Sequence, residues 1–107
     1  MRTNWKKFEK ACKLGCLPVV KYLINLTGVD TIAYNNYSAR LACRYGRLQV
    51  VRYLVEKVPD IDPTARDNYA VRRACLNGHT EVVKYLIEKV PGVDPTVRDN
   101  YAIRQAC

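Results

Sequence analysis

The chain has 107 residues, 49% of them hydrophobic and 26% charged, a make-up that fits one globular domain with a modest core. No apolar run approaches the roughly 20 residues of a membrane helix, and residues 1–10 lack the apolar stretch of a signal peptide; one histidine (His79) and one serine (Ser38) leave little material for hydrolytic or metal chemistry. The net charge of +8 is lopsided, because residues 1–52 carry ten Lys or Arg against Glu9 and Asp30, whereas 53–107 carry eight basic and eight acidic groups.

An internal repeat organises the elements. Residues 62–75 read DPTARDNYAVRRAC and 94–107 read DPTVRDNYAIRQAC, identical at 11 of 14 positions. Tyr37, Tyr69 and Tyr101 are 32 apart, as are Arg40, Arg72 and Arg104, and Cys43, Cys75 and Cys107; Cys12 extends that series with a step of 31. The units are 1–35, 36–67, 68–99 and the start of a fourth at 100–107, together one domain over 1–107.

The first unit opens with a helix whose outside is polar (Lys6, Lys7, Lys10) and whose inside is Phe8, Ala11 and Cys12, the pattern of a cap. Pro18 falls in the first turn of its second helix, where proline is tolerated. An extended finger follows, and the later units repeat the plan. In the third, Val71, Ala74 and Cys75 stand on one helix face and Gly78 stops that helix. Thr80 is placed to cap a second helix that buries Val82, Val83, Leu86, Ile87 and Val90. Pro91-Gly92 ends it, and Asp94-Pro95-Thr96 supplies turn chemistry for the next finger. The expected fold is an all-α solenoid of helix-turn-helix units with β-turn fingers.

The pattern resembles the ankyrin repeat over nearly the whole chain. The family's second-helix signature GHxxVVxxLL stands here as Gly78-His79-Thr80-Glu81-Val82-Val83-Lys84-Tyr85-Leu86-Ile87, and its Ala-Ala pair as Ala11-Cys12, Ala42-Cys43, Ala74-Cys75 and Ala106-Cys107. The family's TPLH motif is replaced by Tyr69-Ala70-Val71-Arg72 and its equivalents, so Asn68, with Asn36 and Asn100, takes the capping position and an arginine column replaces the histidine that stitches neighbours. The NYA-R form looks like the ankyrin arrays of amoebae and of the giant viruses that infect them. The resemblance implies a non-catalytic protein-binding module with a partner of unknown identity, working inside the cell, in the cytoplasm (the host's if viral).

Five cysteines raise a disulfide or zinc reading, which the repeat disfavours. Equivalent atoms of stacked helices stand about 10 Å apart, too far for a disulfide or for zinc–sulfur bonds. Cys12, Cys43, Cys75 and Cys107 read as small core residues, and Cys16 as the exception beside a turn. The chain offers no nucleophile–base pair, phosphate loop or carboxylate pair, so neither catalysis nor a cofactor, metal or small-molecule substrate is expected.

Binding residues are sought where units differ. The resemblance puts ligands on finger tips (32–35, 64–67, 96–99) and on the concave face of the first helices. The candidates are Tyr34, Leu41, Arg44, Tyr45, Arg66, Arg73, Leu76 and Arg98, among which Tyr and Arg are types enriched at interface hot spots. The alternative is nucleic-acid or other polyanion binding through Lys6, Lys10, Lys13, Arg40, Arg44 and Arg47. Cys107 closes the sequence inside a first helix, from which a longer array with a frayed last helix is expected.

Overall fold

A computed structural model describes residues 2–94; the third finger tip with Arg98, the fourth-unit residues Asn100, Tyr101, Arg104, Gln105 and Cys107, and the expected fraying lie outside these residues. Six helices follow in order: α1 (Arg2–Leu14), α2 (Leu17–Thr27), α3 (Ala33–Arg44), α4 (Leu48–Lys57), α5 (Ala65–Leu76) and α6 (Thr80–Lys89). No strand occurs among the described residues. The first helices α1, α3 and α5 stack in one layer and the second helices α2, α4 and α6 in the other.

The core runs between the layers. Phe8 and Cys12 of α1, Cys43 of α3 and Cys75 of α5 are buried against Val20 and Leu23 of α2, Val50, Val51 and Leu54 of α4, and Val82, Val83 and Leu86 of α6. Each fully buried Val or Leu contributes roughly 1.5–3 kcal/mol by leaving water. Tight turns at Gly15, Gly46 and Gly78, with φ of 78°, 71° and 76°, reverse the chain between the two helices of a unit. Pro18 sits in the first turn of α2.

The end face formed by the first unit is mixed. Lys6, Lys7 and Lys10 make α1 polar outside, whereas α2 exposes Val19, Tyr22 and Leu26. Val19 is 40% exposed, while its register equivalents Val50 and Val82 are buried.

The fingers depart from the expected caps. At the start of α3, Tyr34, Asn35 and Asn36 hold φ of 57°, 58° and 60°, and at the start of α5, Arg66, Asp67 and Asn68 hold 59°, 57° and 61°. These are left-handed turns, unfavourable for residues with a Cβ by about 1–2 kcal/mol each, with Asn the best tolerated. Asn36 and Asn68 therefore do not cap. Their Oδ1 atoms accept from the backbone N–H of Asp62 (2.7 Å) and Asp94 (3.0 Å), tying each finger to the next. Thr80 does not cap either: it is the first residue of α6, and His79 stands at the cap position with no side-chain cap bond.

Candidate binding groove

Helical spacing builds a groove between α1 and α3. Positions 6, 9, 10, 13 and 14 fall on one face of α1, and 37, 41 and 44 on the facing side of α3. Lys6, Glu9, Lys10, Lys13 and Leu14 thus line one wall, and Tyr37, Leu41, Arg44 and Tyr45 the other, around about 400 Å³. Leu41 is buried and forms the floor, whereas Leu14 stands exposed at the lip. The Tyr45 ring carries two cations, Lys13 Nζ at 5.3 Å and the Arg44 guanidinium at 5.5 Å from its centroid. Among the described residues none of Lys6, Lys10, Lys13 or Arg44 is held in an ion pair. Four cations against Glu9 give the groove a positive field around an apolar floor.

The other candidates disperse. Tyr34 lies outside this groove, its ring 5.3 Å from that of Trp5. Arg66 is exposed on the second finger and lines a separate depression with Asp67, Tyr69 and Arg72. Arg73 is the register equivalent of Leu41 on the next first helix; it is half-buried, and its Nε is a buried donor without a hydrogen-bond acceptor. Leu76 packs partly against the core. The residues gathered around Leu41, Arg44 and Tyr45 include Glu9 and Tyr37, which sequence reasoning passed over, although their i, i+3/i+4 spacing from Lys6 and Leu41 was there to read.

Two arginines assigned to the polyanion reading are committed elsewhere. Arg40, 7% exposed, donates from Nε to the Asn35 carbonyl (3.0 Å) and from a terminal nitrogen to the Tyr34 carbonyl (2.9 Å). Its guanidinium also lies between the rings of Tyr37 (5.1 Å) and Tyr69 (5.3 Å). Burial lowers its pKa from the ordinary arginine value, and the neighbouring Arg66 charge adds to that. Arg72 grips Asp67 and Arg66 in the same way (3.0 and 3.4 Å). Arg47 donates from Nε to the Lys13 carbonyl at the end of α1 (2.8 Å), and Asn77 donates to the Arg44 carbonyl at the end of α3 (2.9 Å). His79 packs on the Gly46 turn of the preceding unit, where a Cβ would collide with the imidazole.

The tyrosines of the second helices form a ladder. Tyr53 accepts from Asn25 (3.1 Å), and Tyr85 donates to Glu56 (2.8 Å), each reaching the preceding unit. Cys12, Cys16, Cys43 and Cys75 are free thiols, and burial pushes Cys12 and Cys43 up to about 12. As thiols at neutral pH, these two are neither nucleophiles nor metal ligands.

Stacked helix pairs joined by left-handed fingers define a class of repeat protein. The ankyrin repeats family, in three copies, matches residues 8–99, and the chain belongs to that family. An ankyrin repeat protein of Acanthamoeba polyphaga mimivirus is 38% identical over 47 residues, 44% of this chain and 12% of the viral protein, so the chain spans only a small part of that relative. The chain thus resembles the arrays of giant viruses. No solved structure matches it. Ankyrin repeats are generally protein–protein interaction modules and typically non-enzymatic. No helix among the described residues is long and apolar enough to cross a membrane.

Proposed function

We propose that the chain is a non-catalytic protein-binding module whose α1–α3 groove receives an acidic segment of a partner, anchored by an apolar side chain over Leu41. The observation that carries this reading is the set of four cations outside any ion pair, Lys6, Lys10, Lys13 and Arg44, around an apolar floor, with Lys13 and Arg44 on the Tyr45 ring. Long-range attraction speeds the encounter, and the stacked helices hold the groove in shape beforehand, which lowers the ordering cost of binding. The units 1–35, 36–67, 68–99 and 100–107 act as one scaffold, with Arg66, Arg73, Leu76 and Arg98 extending the surface along the array. The array works inside the cell, in the cytoplasm (the host's if viral), where its thiols stay reduced.

The polyanion reading is weakened by the engagement of Arg40 and Arg47 with backbone carbonyls, which leaves the groove cations as the remaining members of its set. Affinity capture from amoebal lysate, with and without nuclease, separates the two. A discrete protein that survives nuclease and is lost with Arg44→Glu/Tyr45→Ala is the expected result. Capture that collapses with nuclease, with affinity falling linearly in log salt concentration, overturns it in favour of nucleic acid.

A further inference from the structure

A second pocket, of about 380 Å³, lies between the start of α1 and the first finger, and its chemistry is opposite to that of the groove. Its walls include Trp5 and Tyr34, the end of α2 at Thr27 and Gly28, and Asp30. The two rings meet at 5.3 Å with 44° between their planes, and Trp5 is backed by the buried Phe8 ring at 5.8 Å. Tyr34 is 71% exposed, so core packing does not account for its position. Its backbone is nonetheless held, because Arg40 grips its carbonyl and the chain takes the left-handed φ of 57° there.

Three features of this pocket favour positive charge. The faces of Trp and Tyr attract cations through the ring quadrupole, Trp most strongly. The last carbonyls of a helix carry the negative end of its dipole. Five of the six helices place a Lys or Arg in the last turn (Lys13, Arg44, Lys57, Arg73 and Lys89), and α2, whose end lines this pocket, has none. The third feature is the Asp30 carboxylate, one of only two acidic groups in the first 52 residues. In a half-chain of charge +8, the pocket's lining contains this carboxylate and, among the described side chains, no cation.

From this geometry we propose that the pocket binds an alkylated ammonium cation, with its methyl groups on the faces of Trp5 and Tyr34 and its charge toward Asp30 and the end of α2. A bare ammonium is strongly hydrated and asks for several acceptors, and a guanidinium asks for a planar fork of them. Here one Asp30 oxygen already accepts from the Ile32 N–H (3.2 Å), and Val29 and Ala33 add apolar wall. A weakly hydrated, methylated cation matches such a lining, and the volume lies at the lower end of the roughly 300–1,000 Å³ common for ligand pockets. The cation can be a free choline-type molecule or a trimethylated lysine side chain on a protein.

Trp5 is the only tryptophan, so its fluorescence reports on the pocket directly. The whole chain is titrated with choline, with a short peptide carrying trimethyllysine, and with neohexanol, the uncharged carbon isostere of choline. The expected result is a saturable change with the cations and binding roughly tenfold weaker, or more, for neohexanol. A peptide that binds much more tightly than choline assigns the cation to a protein side chain, and equal affinity assigns it to the free molecule. Asp30→Asn, which keeps the acceptor for Ile32, weakens the cations roughly tenfold and leaves neohexanol unchanged. Tyr34→Ala abolishes saturation, Tyr34→Phe retains it, and far-UV helicity is equal in all variants. Equal binding of neohexanol and choline, titrations unaltered by Asp30→Asn and Tyr34→Ala, or no saturable change with any probe overturns the proposal. None of these outcomes bears on the groove, since Arg44 and Tyr45 are untouched.

Discussion

Residues 34–36 and 66–68 trace one left-handed turn, with φ between 57° and 61° at all six positions, yet they show solvent a tyrosine and an asparagine in one case and an arginine and an aspartate in the other. What the two fingers share lies mostly behind the turn: Arg40 or Arg72 one helical turn later, holding the first two carbonyls, and Asn36 or Asn68 reaching forward to the next finger. The conformation is therefore specified behind the turn rather than at its tip. The guanidinium fork supplies the grip, so the outward residues need no intrinsic taste for positive φ and are free to carry binding chemistry. One finger thereby builds an aromatic pocket wall and the other a charged tip.

Four experiments test this division of labour between grip and tip. The largest effect is on what both fingers rest upon. Cys12 and Cys43 are pushed from 9.0 up to about 12 by burial, and Tyr85 from 10.0 up to about 12 by burial and its bond to Glu56. The fold holds these groups neutral, whereas the unfolded chain loses their protons above about pH 9. Their contribution to stability is therefore complete below pH 9 and is lost as pH rises toward 12. Thermal melts across that window should show Tm falling continuously, and replacing Cys12 and Cys43 with alanine should flatten the slope.

Next comes Arg40→Ala, which removes two charge-assisted hydrogen bonds and a guanidinium packed between two rings. A loss of about 3 kcal/mol in urea unfolding is expected. Arg40→Lys recovers little, since one ammonium cannot reproduce the fork. A loss under about 1 kcal/mol, no more than an ordinary hydrogen bond, means that the turn holds itself. Asn36→Ala follows at about 2 kcal/mol, losing the acceptor for Asp62 and placing a Cβ at φ 60° without asparagine's tolerance. Asn36→Gly should cost about 1 kcal/mol, and the gap between the two variants reads the conformational share directly. The smallest effect has the opposite sign. Arg66 is exposed at φ 59°, and Arg66→Gly should raise stability by up to about 1 kcal/mol, because the conformational relief outweighs the extra freedom of glycine in the unfolded chain.

The spacing of 32, the buried Val-Val and Leu positions and the Ala-Cys pairs made the helical stack legible in the sequence, because core burial repeats wherever the backbone repeats. The groove was partly legible by the same register, which brought Leu41, Arg44 and Tyr45 to one face. The left-handed turns were not. Tyr34 and Arg66 carry no sign of positive φ, and asparagine before a helix reads first as a cap. The forks that hold these turns come from arginines five and six residues away, a distance at which a sequence suggests only a helix face. The meeting of Trp5 with Tyr34 was equally hidden, since neither belongs to a repeating column and 29 residues separate them.

The bonds from Arg47 to the Lys13 carbonyl and from Asn77 to the Arg44 carbonyl have a consequence for the birth of the array. A first helix ends with acceptors that its own unit leaves unmet, and the residue that meets them is translated more than 30 positions later. Until that residue has emerged from the ribosome, these carbonyls are left to water. Repeat arrays can nucleate in any unit and propagate to neighbours, and during synthesis these bonds favour growth from the amino end. A chain stopped short of the next turn would leave its last first helix without that bond.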